Sequence, residues 1–314
     1  MKILHRPYQT EADLQKMCSL LQTGLAAQTR AYTIHPGELY LCLYNWLDGN
    51  DPWQSIYLWD DPDDGRRLLG WAILYTPWSG FDVFVQPEFW DSAWIAEVNA
   101  WVEEKACEKT REQGRRHVWR RHVWRNNVAE TDAFLREQLC GRGFQEVPEH
   151  AMLSMECDLE RDLPQASLPE NYTLRKVEPG DAFQRAQAQH LAFEADMPFE
   201  EYLDKYRHFM DSPGFARGRE WIVAAPDGRV ASFCMAWPDS ASRIGQIDTV
   251  GTHPEFQRKG FARAVMGAGL RDLQSAGMHT ARICVQAGNL AAIGLYEGLG
   301  FHRTVKLLAY QKML

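Results

Sequence analysis

The chain has 314 residues, more than one ordinary domain needs and enough for two of about 150. With 45% hydrophobic residues each half can bury a core, and the seven cysteines are odd in number, scattered and free of C-x-x-C pairs, which argues against a disulfide framework or a zinc site. The net charge of −8 disfavours general nucleic-acid binding, and neither an apolar leader at the start nor a run near the roughly 20 apolar residues of a membrane span is present, so a soluble, cytoplasmic protein is expected.

In chain order, the first half opens with a strand at Ile3–His5 and a helix at Ala12–Leu25. Alternation and turn residues then predict strands at Ser55–Trp59, Leu68–Tyr75 and Phe81–Val85, with the acidic hairpin tip D-D-P-D-D-G at 60–65 between the first two. After Q-P-E-F (86–89) a helix carries Trp94, Val98, Trp101 and Val102 at helical spacing. A five-residue unit repeats in R-R-H-V-W-R-R-H-V-W-R (115–125); such a basic-aromatic run can bind nucleic acid, but in an acidic domain a strand lead-in is the better reading. The half ends with A-F-L-R-E-Q-L-C-G-R-G-F (133–144) and a final strand toward Leu159.

The second half repeats this order. A strand at Tyr172–Val177 and a helix at Ala182–Phe193 precede strands at Trp221–Ala225, Val230–Trp237 and Ile244–Thr252, and the chain then reaches H-P-E-F at 253–256. Repeats of this length are domains rather than solenoid units. The expected division is 1–160, a polar proline-containing linker at 161–170, and 171–314. Residues 1–162 carry 17 Lys+Arg against 26 Asp+Glu, whereas the rest carry 17 against 16, so the second half tolerates phosphate better.

The segment that carries chemistry is Q-R-K-G-F-A (257–262), between the strand at 244–252 and a helix marked by Ala262, Val265, Met266, Gly269, Leu270 and Leu273. The first turn of that helix presents N–H groups without intrahelical acceptors and about half a positive charge, which attracts anions. Gly260 and Ala262 let a phosphate oxygen approach the backbone, and Arg258 and Lys259 add mobile positive charge. An ordinary strand-turn-helix corner would use the same glycine. A second segment, N-L-A-A-I-G-L-Y-E-G-L-G-F (289–301), predicts a helix with Ala292, Leu295 and Leu299 on its core face, Asn289 and Tyr296 two turns apart on one side, and Gly300 as the stop.

Together, Q-x-x-G-x-A after a strand and N-x-x-A-x-x-L-Y-x-x-L-G-F about thirty residues later resemble the acetyl-CoA motifs of the GNAT N-acetyltransferase superfamily. The layout is similar to mycothiol synthase and related two-domain acetyltransferases. The resemblance implies an α/β (α+β) fold of two tandem GNAT domains, each a mixed, mostly antiparallel sheet with helices on both faces and a central splayed parallel pair. In the first half W-D-S-A-W-I (90–95) replaces Q-R-K-G-F-A and Leu139 stands where Tyr296 stands in the second, so the first domain is expected to be a degenerate copy.

As implied by the resemblance, acetyl-CoA is the co-substrate, no metal is needed, and the acceptor is a primary amine of a small molecule or peptide. The backbone from Gln257 through Arg258, Lys259, Gly260 and Phe261 to Ala262 would hold the pyrophosphate, Asn289 would contribute to the cofactor site, and Val250 and Thr252 would align the pantetheine arm. Tyr296 matches the family's general acid. The family's strand glutamate is replaced by Gln246, which cannot act as a base; Asp248, two residues on and on the same strand face, is the better candidate, or else it orders water or pairs with a cation. His253 is a poorer one. Gln246 is a candidate acceptor-side residue, as are Glu194 and Asp196, in the helical segment that in this family lies over the acceptor cleft, where they could recognise a cationic amine or be exposed helix charge. The expected assembly is a homodimer or a pseudo-dimeric monomer, and the rival reading is a non-catalytic acyl-CoA sensor or scaffold.

Overall fold

A computed structural model describes residues 5–27, 34–47, 54–65, 67–114, 122–163, 165, 167–215 and 219–314. Of the expected features, Ile3 and Leu4 of the opening strand, residues 115–121 of the basic repeat, and residues 164 and 166 of the linker lie outside them. The chain forms two compact units, one of Met1–Leu153, Gln286–Gly288 and Val305–Leu314, the other of Ser154–Val285 and Asn289–Thr304. No helix among the described residues is long and apolar enough to cross a membrane.

Unit 1 runs β1 (Arg6–Pro7), α1 (Glu11–Ala27), α2 (Pro36–Leu41), β2 (Ile56–Asp60), β3 (Leu68–Tyr75), β4 (Gly80–Val85), α3 (Ala93–Gly114), β5 (His122–Ala129), α4 (Ala133–Gly141) and β6 (Gln145–Glu146). Its sheet order is β1-β2-β3-β4-β5, antiparallel except for β4 and β5, which pair in parallel at Gly80 and Trp124. Residues 307–313 of the C-terminal strand add antiparallel to β5, from Leu307 opposite Ala129 to Met313 opposite His122. Leu308 and Tyr310 thereby enter the same core as Phe81, Val98, Val128 and Phe144.

Unit 2 begins within β7 (Met152–Asp158) and continues with β8 (Thr173–Lys176), α5 (Ala182–Ala192), α6 (Phe199–Met210), β9 (Arg219–Ala224), β10 (Val230–Asp239), β11 (Ile244–Thr252), α7 (Phe261–Ser275), β12 (Thr280–Gln286), α8 (Leu290–Gly298) and the start of β13 (His302–Met313). The strand order is β7-β12-β11-β10-β9-β8. All pairs from β8 to β11 are antiparallel, and β11 pairs in parallel with β12. The expected fold class, a mostly antiparallel mixed sheet with a parallel pair, is what forms.

Helix α6 has no counterpart in the sequence reading. Leu203, Tyr206 and Phe209 recur at three-residue spacing and are its buried face, a signal present in F-E-E-Y-L-D-K-Y-R-H-F-M. An internal ion pair ties it down: Glu220 on β9 accepts from the Arg185 guanidinium and from the Tyr206 hydroxyl at 2.8 Å, and Arg185 also donates to Gln189 at 2.7 Å. The guanidinium lies 3.7 Å from the Phe233 ring centroid. With each polar atom partnered, the pair joins α5, α6, β9 and β10 without leaving a buried charge exposed to apolar surroundings.

One irregularity shapes unit 2. On β11, Gly251 sits opposite Phe233 and Asp248 opposite Met235, so Thr249 and Val250 together face Cys234 in a bulge. Thr249 takes φ +51, a left-handed conformation that costs a threonine on the order of 1–3 kcal/mol. The bulge brings Gly251 onto the Phe233 ring, where an added Cβ would lie 2.2 Å from Cζ. Gly251→Ala should therefore lower unit 2 stability by about 1–3 kcal/mol. Gly180→Ala, whose Cβ would meet nothing within 4 Å, should stay within about 0.5 kcal/mol in the same urea titration.

Candidate acyl-CoA site

The site is built where two parallel strands part company. Strands β11 and β12 pair from Ile244 opposite Thr280 to Gln246 opposite Arg282, and the register stops there although β11 continues to Thr252. Val250 lies on this diverged stretch, inside the bulge. Thr252 has returned to the ladder opposite Ser232, whose hydroxyl contacts the Thr252 hydroxyl at 2.9 Å and donates to the Gly251 carbonyl at 2.7 Å.

Beyond β11 the turn P-E-F leads into the loop before α7. His253, which is buried, accepts the Glu255 N–H on its Nδ1 at 3.2 Å, a local packing role. Gln257, Arg258, Lys259 and Gly260 are all exposed. Arg258 at φ +60 and Gly260 at φ +81 are both left-handed. Among the described residues, the backbone N–H groups from Arg258 to Arg263 meet no acceptor. A Cβ built on Gly260 would point into open space. These donors, with the positive end of the 15-residue α7 behind them, form an anion cradle of the kind the spacing predicts. Phe261 contributes only its backbone: its ring is 1% exposed and packs 4.6 Å from Tyr172, centroid to centroid. Lys259 lies 5.2 Å from the Phe256 ring.

Asn289 caps α8, its Oδ1 accepting the Ala292 N–H at 3.1 Å. That helix carries Tyr296, 7% exposed, whose hydroxyl has no hydrogen-bond partner among the described residues. Burial pushes the phenol well above its usual range, and the neighbouring Cys234 and Asp248 push it further the same way. Asp248 is the more unusual group. Its Oδ1 accepts the Thr249 N–H at 2.7 Å, whereas Oδ2 is buried with no partner. Burial raises the carboxyl to about 6, partly offset by that one N–H. An orphaned carboxylate oxygen costs stability, which makes Asp248 a candidate for chemistry.

The structure thus brings Asp248, Tyr296 and Cys234 within electrostatic reach of one another. Cys234 is itself buried, with its thiol pushed far up, which makes it a packing residue and not a nucleophile. Gln246, 2% exposed, sits on β11 where the strands still pair. Glu194 and Asp196 are not on a helix as the sequence suggested: α5 ends at Ala192, Glu194 turns at φ +47, and both side chains are exposed on the connection to α6. The short helix-breaking segment A-D-M-P before Phe199 was the available signal.

The corresponding corner of unit 1 is closed locally. Trp90 is right-handed, Ser92 Oγ accepts the Ile95 N–H at 3.3 Å and donates to the Phe89 carbonyl at 2.8 Å. A serine cap thus satisfies one helix-head donor, the Ile95 N–H, where the loop of unit 2 has no such cap.

Residues 184–301 match the family model of the acetyltransferase (GNAT) family. The mycothiol acetyltransferase of Streptomyces griseus subsp. griseus is 31% identical over 147 residues, 45% of this chain and 46% of that protein. The mycothiol acetyltransferase of Thermobispora bispora is 30% identical over 177 residues, 54% and 60% of the two chains. The chain thus matches these curated relatives over about half of their length. Among solved structures, a tandem GNAT protein from the clavulanic acid biosynthesis pathway superposes with a TM-score of 0.67 at 14% identity, covering 99% of this chain and 98% of that one. A GCN5-related N-acetyltransferase from Sphaerobacter thermophilus gives 0.64 at 19% identity, covering 99% and 95%. Residues 184–301 thus match the GNAT acetyltransferase family, and the fold of the chain is that of tandem GNAT proteins.

Proposed function

We propose that unit 2 transfers an acetyl group from acetyl-CoA directly to a primary amine of a small molecule or peptide. The observation that carries this reading is the run of unpartnered N–H groups from Arg258 to Arg263 at the head of α7. They fit a diphosphate, whose oxygens they would receive while Arg258 and Lys259 offset its charge. Val250 and Thr252 on the diverging strand would align the pantetheine arm, and Asn289 would hold the head of α8 against the cofactor side.

Tyr296 would stabilise the departing thiolate. Its buried phenol holds its proton more tightly than a thiol, with an ordinary pKa near 8.5, so full proton transfer runs uphill and the hydroxyl acts by donating a hydrogen bond as sulfur charge develops. Asp248 would take the proton that an ammonium must lose before it can attack, and a carboxyl near 6 is ionised at neutral pH yet basic enough for the task. Gln246 and the exposed Glu194 and Asp196 are the acceptor-side residues of this reading. Because Gln246 stands where the family commonly has its base, a non-catalytic acyl-CoA sensor is the alternative. Acetyl-CoA consumption with a panel of amines separates the two: turnover with any amine supports the enzyme, and saturable CoA binding without turnover supports the sensor.

Tyr296→Phe should lower kcat by roughly ten- to thousandfold while CoA affinity holds within about threefold. An unchanged kcat with rate-limiting chemistry would remove Tyr296 from the mechanism.

Asp248→Asn makes two linked predictions. In the wild type, kcat/KM for the amine should rise through a limb at about pH 6, and the variant should lose that limb. Folding raises this carboxyl above its unfolded value near 3.9, so its contribution to stability is full below pH 4 and is lost as pH rises through about 6. The variant should therefore be more stable than the wild type at pH 7.5, by on the order of 1–3 kcal/mol, with the gap closing at pH 4. Equal stabilities across that range would mean that Asp248 is solvated.

Gly260→Glu sets a side chain and a negative charge before the cradle, and should weaken CoA binding at least a hundredfold, about 2.7 kcal/mol. Ala93→Glu at the head of α3 should change it by no more than about threefold. Calorimetry should give one CoA per wild-type chain; two equivalents would assign a working cofactor site to unit 1.

A further inference from the structure

Beyond the bulge the ladder between β10 and β11 resumes, and its hydrogen-bond phase fixes which way each peptide faces. His253 donates its N–H to the Ala231 carbonyl at 3.0 Å. In an antiparallel ladder that bond makes Ser232 and Thr252, which lie opposite each other, a non-hydrogen-bonded pair. The N–H and C=O of Thr252 therefore point away from β10, to the side on which the register with β12 has stopped. The peptide before Thr252 spans both sides. Its carbonyl, that of Gly251, faces β10, and the Thr252 N–H, trans to it in the same plane, faces the opening.

Ser232 holds that plane from behind. The residue is 0% exposed, and its hydroxyl donates to the Gly251 carbonyl at 2.7 Å. Having given its only proton there, the hydroxyl must accept from the Thr252 hydroxyl at 2.9 Å. The two bonds grip the peptide by its carbonyl and by the following side chain, so the plane cannot turn without breaking one of them. A hydrogen bond to the carbonyl also polarises the N–H across the same peptide and makes it a stronger donor. Unit 1 has the same ladder phase, with the Gln86 N–H on the Leu69 carbonyl at 2.8 Å, but there the residue opposite Val85 is Gly70, which brings no hydroxyl. The serine stands in the unit with the open cradle.

We propose that Ser232 is a positioning residue for the donor substrate: by holding the Gly251 carbonyl it aims the Thr252 N–H at an amide carbonyl of the pantetheine arm. Ser232 itself touches no ligand, and its role rests on the acetyl-CoA reading given above. An extended arm with amide groups is the chemistry that completes an open strand edge, since each of its carbonyls can accept from a strand N–H.

The test compares CoA with 3′-phosphoadenosine 5′-diphosphate, the same ligand without its pantetheine arm, on the full chain. By calorimetry, Ser232→Ala should weaken CoA about tenfold and leave the armless nucleotide within about twofold, because only the arm reaches Thr252. In the wild type, the Thr252 amide proton should move downfield with CoA and stay in place with the nucleotide, which decides the matter if the variant does not fold. A variant that binds CoA within about twofold of the wild type overturns the proposal. So does one that loses both ligands equally, as a general loosening of the sheet would produce, and so does a wild-type Thr252 amide that CoA saturation leaves unmoved. Those three results leave the acetyl-CoA reading standing, whereas no saturable binding of either ligand would overturn that reading and the role of Ser232 with it.

Discussion

The parting of β11 from β12 after Gln246 is the constraint on which the chemistry proposed for unit 2 depends. Parallel strands normally satisfy each other's backbone along their length, and stopping the register leaves one side of Ile247–Thr252 open for a ligand to complete. The bulge at Thr249 and Val250 adds to the opening and turns the strand end toward the P-E-F corner. From there the chain reaches Gly260 in the left-handed conformation that exposes the first N–H groups of α7.

Each of these features costs stability. Thr249 and Arg258 are non-glycine residues at positive φ, six successive N–H groups lack acceptors among the described residues, and Asp248 Oδ2 is buried alone. They cluster within sixteen residues, from Asp248 to Arg263, while α5, α6 and β9 a short distance away satisfy even a fully buried Arg185–Glu220 pair. Asn171, Glu194 and Arg243 of unit 2 also take positive φ, but among the described residues only in this stretch does such strain coincide with open backbone donors and an orphaned carboxylate oxygen, which fits a site kept ready for ligand. Unit 1 shows a contrast: the Ser92 hydroxyl accepts the Ile95 N–H at the head of α3.

Much of this was legible in the sequence because it is local. The strand at Ile244–Thr252 has the expected bounds, and the apolar spacing of α7 and the stop at Gly300 follow from periodicity and glycine chemistry. The orphan state of Asp248 was not legible, since alternation places a residue on a face but cannot reveal a bulge three residues from a strand end. Nor was the fate of the last strands: Leu307–Met313 joins β5 and Ser154–Asp158 lies in unit 2, and an alternating strand carries no mark of which sheet it will complete. The burial of Arg125, at the end of the repeat that read as a strand lead-in, was not legible either, because it depends on a partner, Asp82, 43 positions away.

In the proposed function, free backbone donors at the head of α7 hold the diphosphate of CoA. Backbone amide NMR during a CoA titration tests it most directly. The amide protons of Gly260 to Arg263 are expected to move downfield and saturate with one CoA, while those of Ala93 to Ile95 stay in place. Saturable binding that leaves Gly260 to Arg263 unmoved, or that shifts the head of α3 instead, would contradict it.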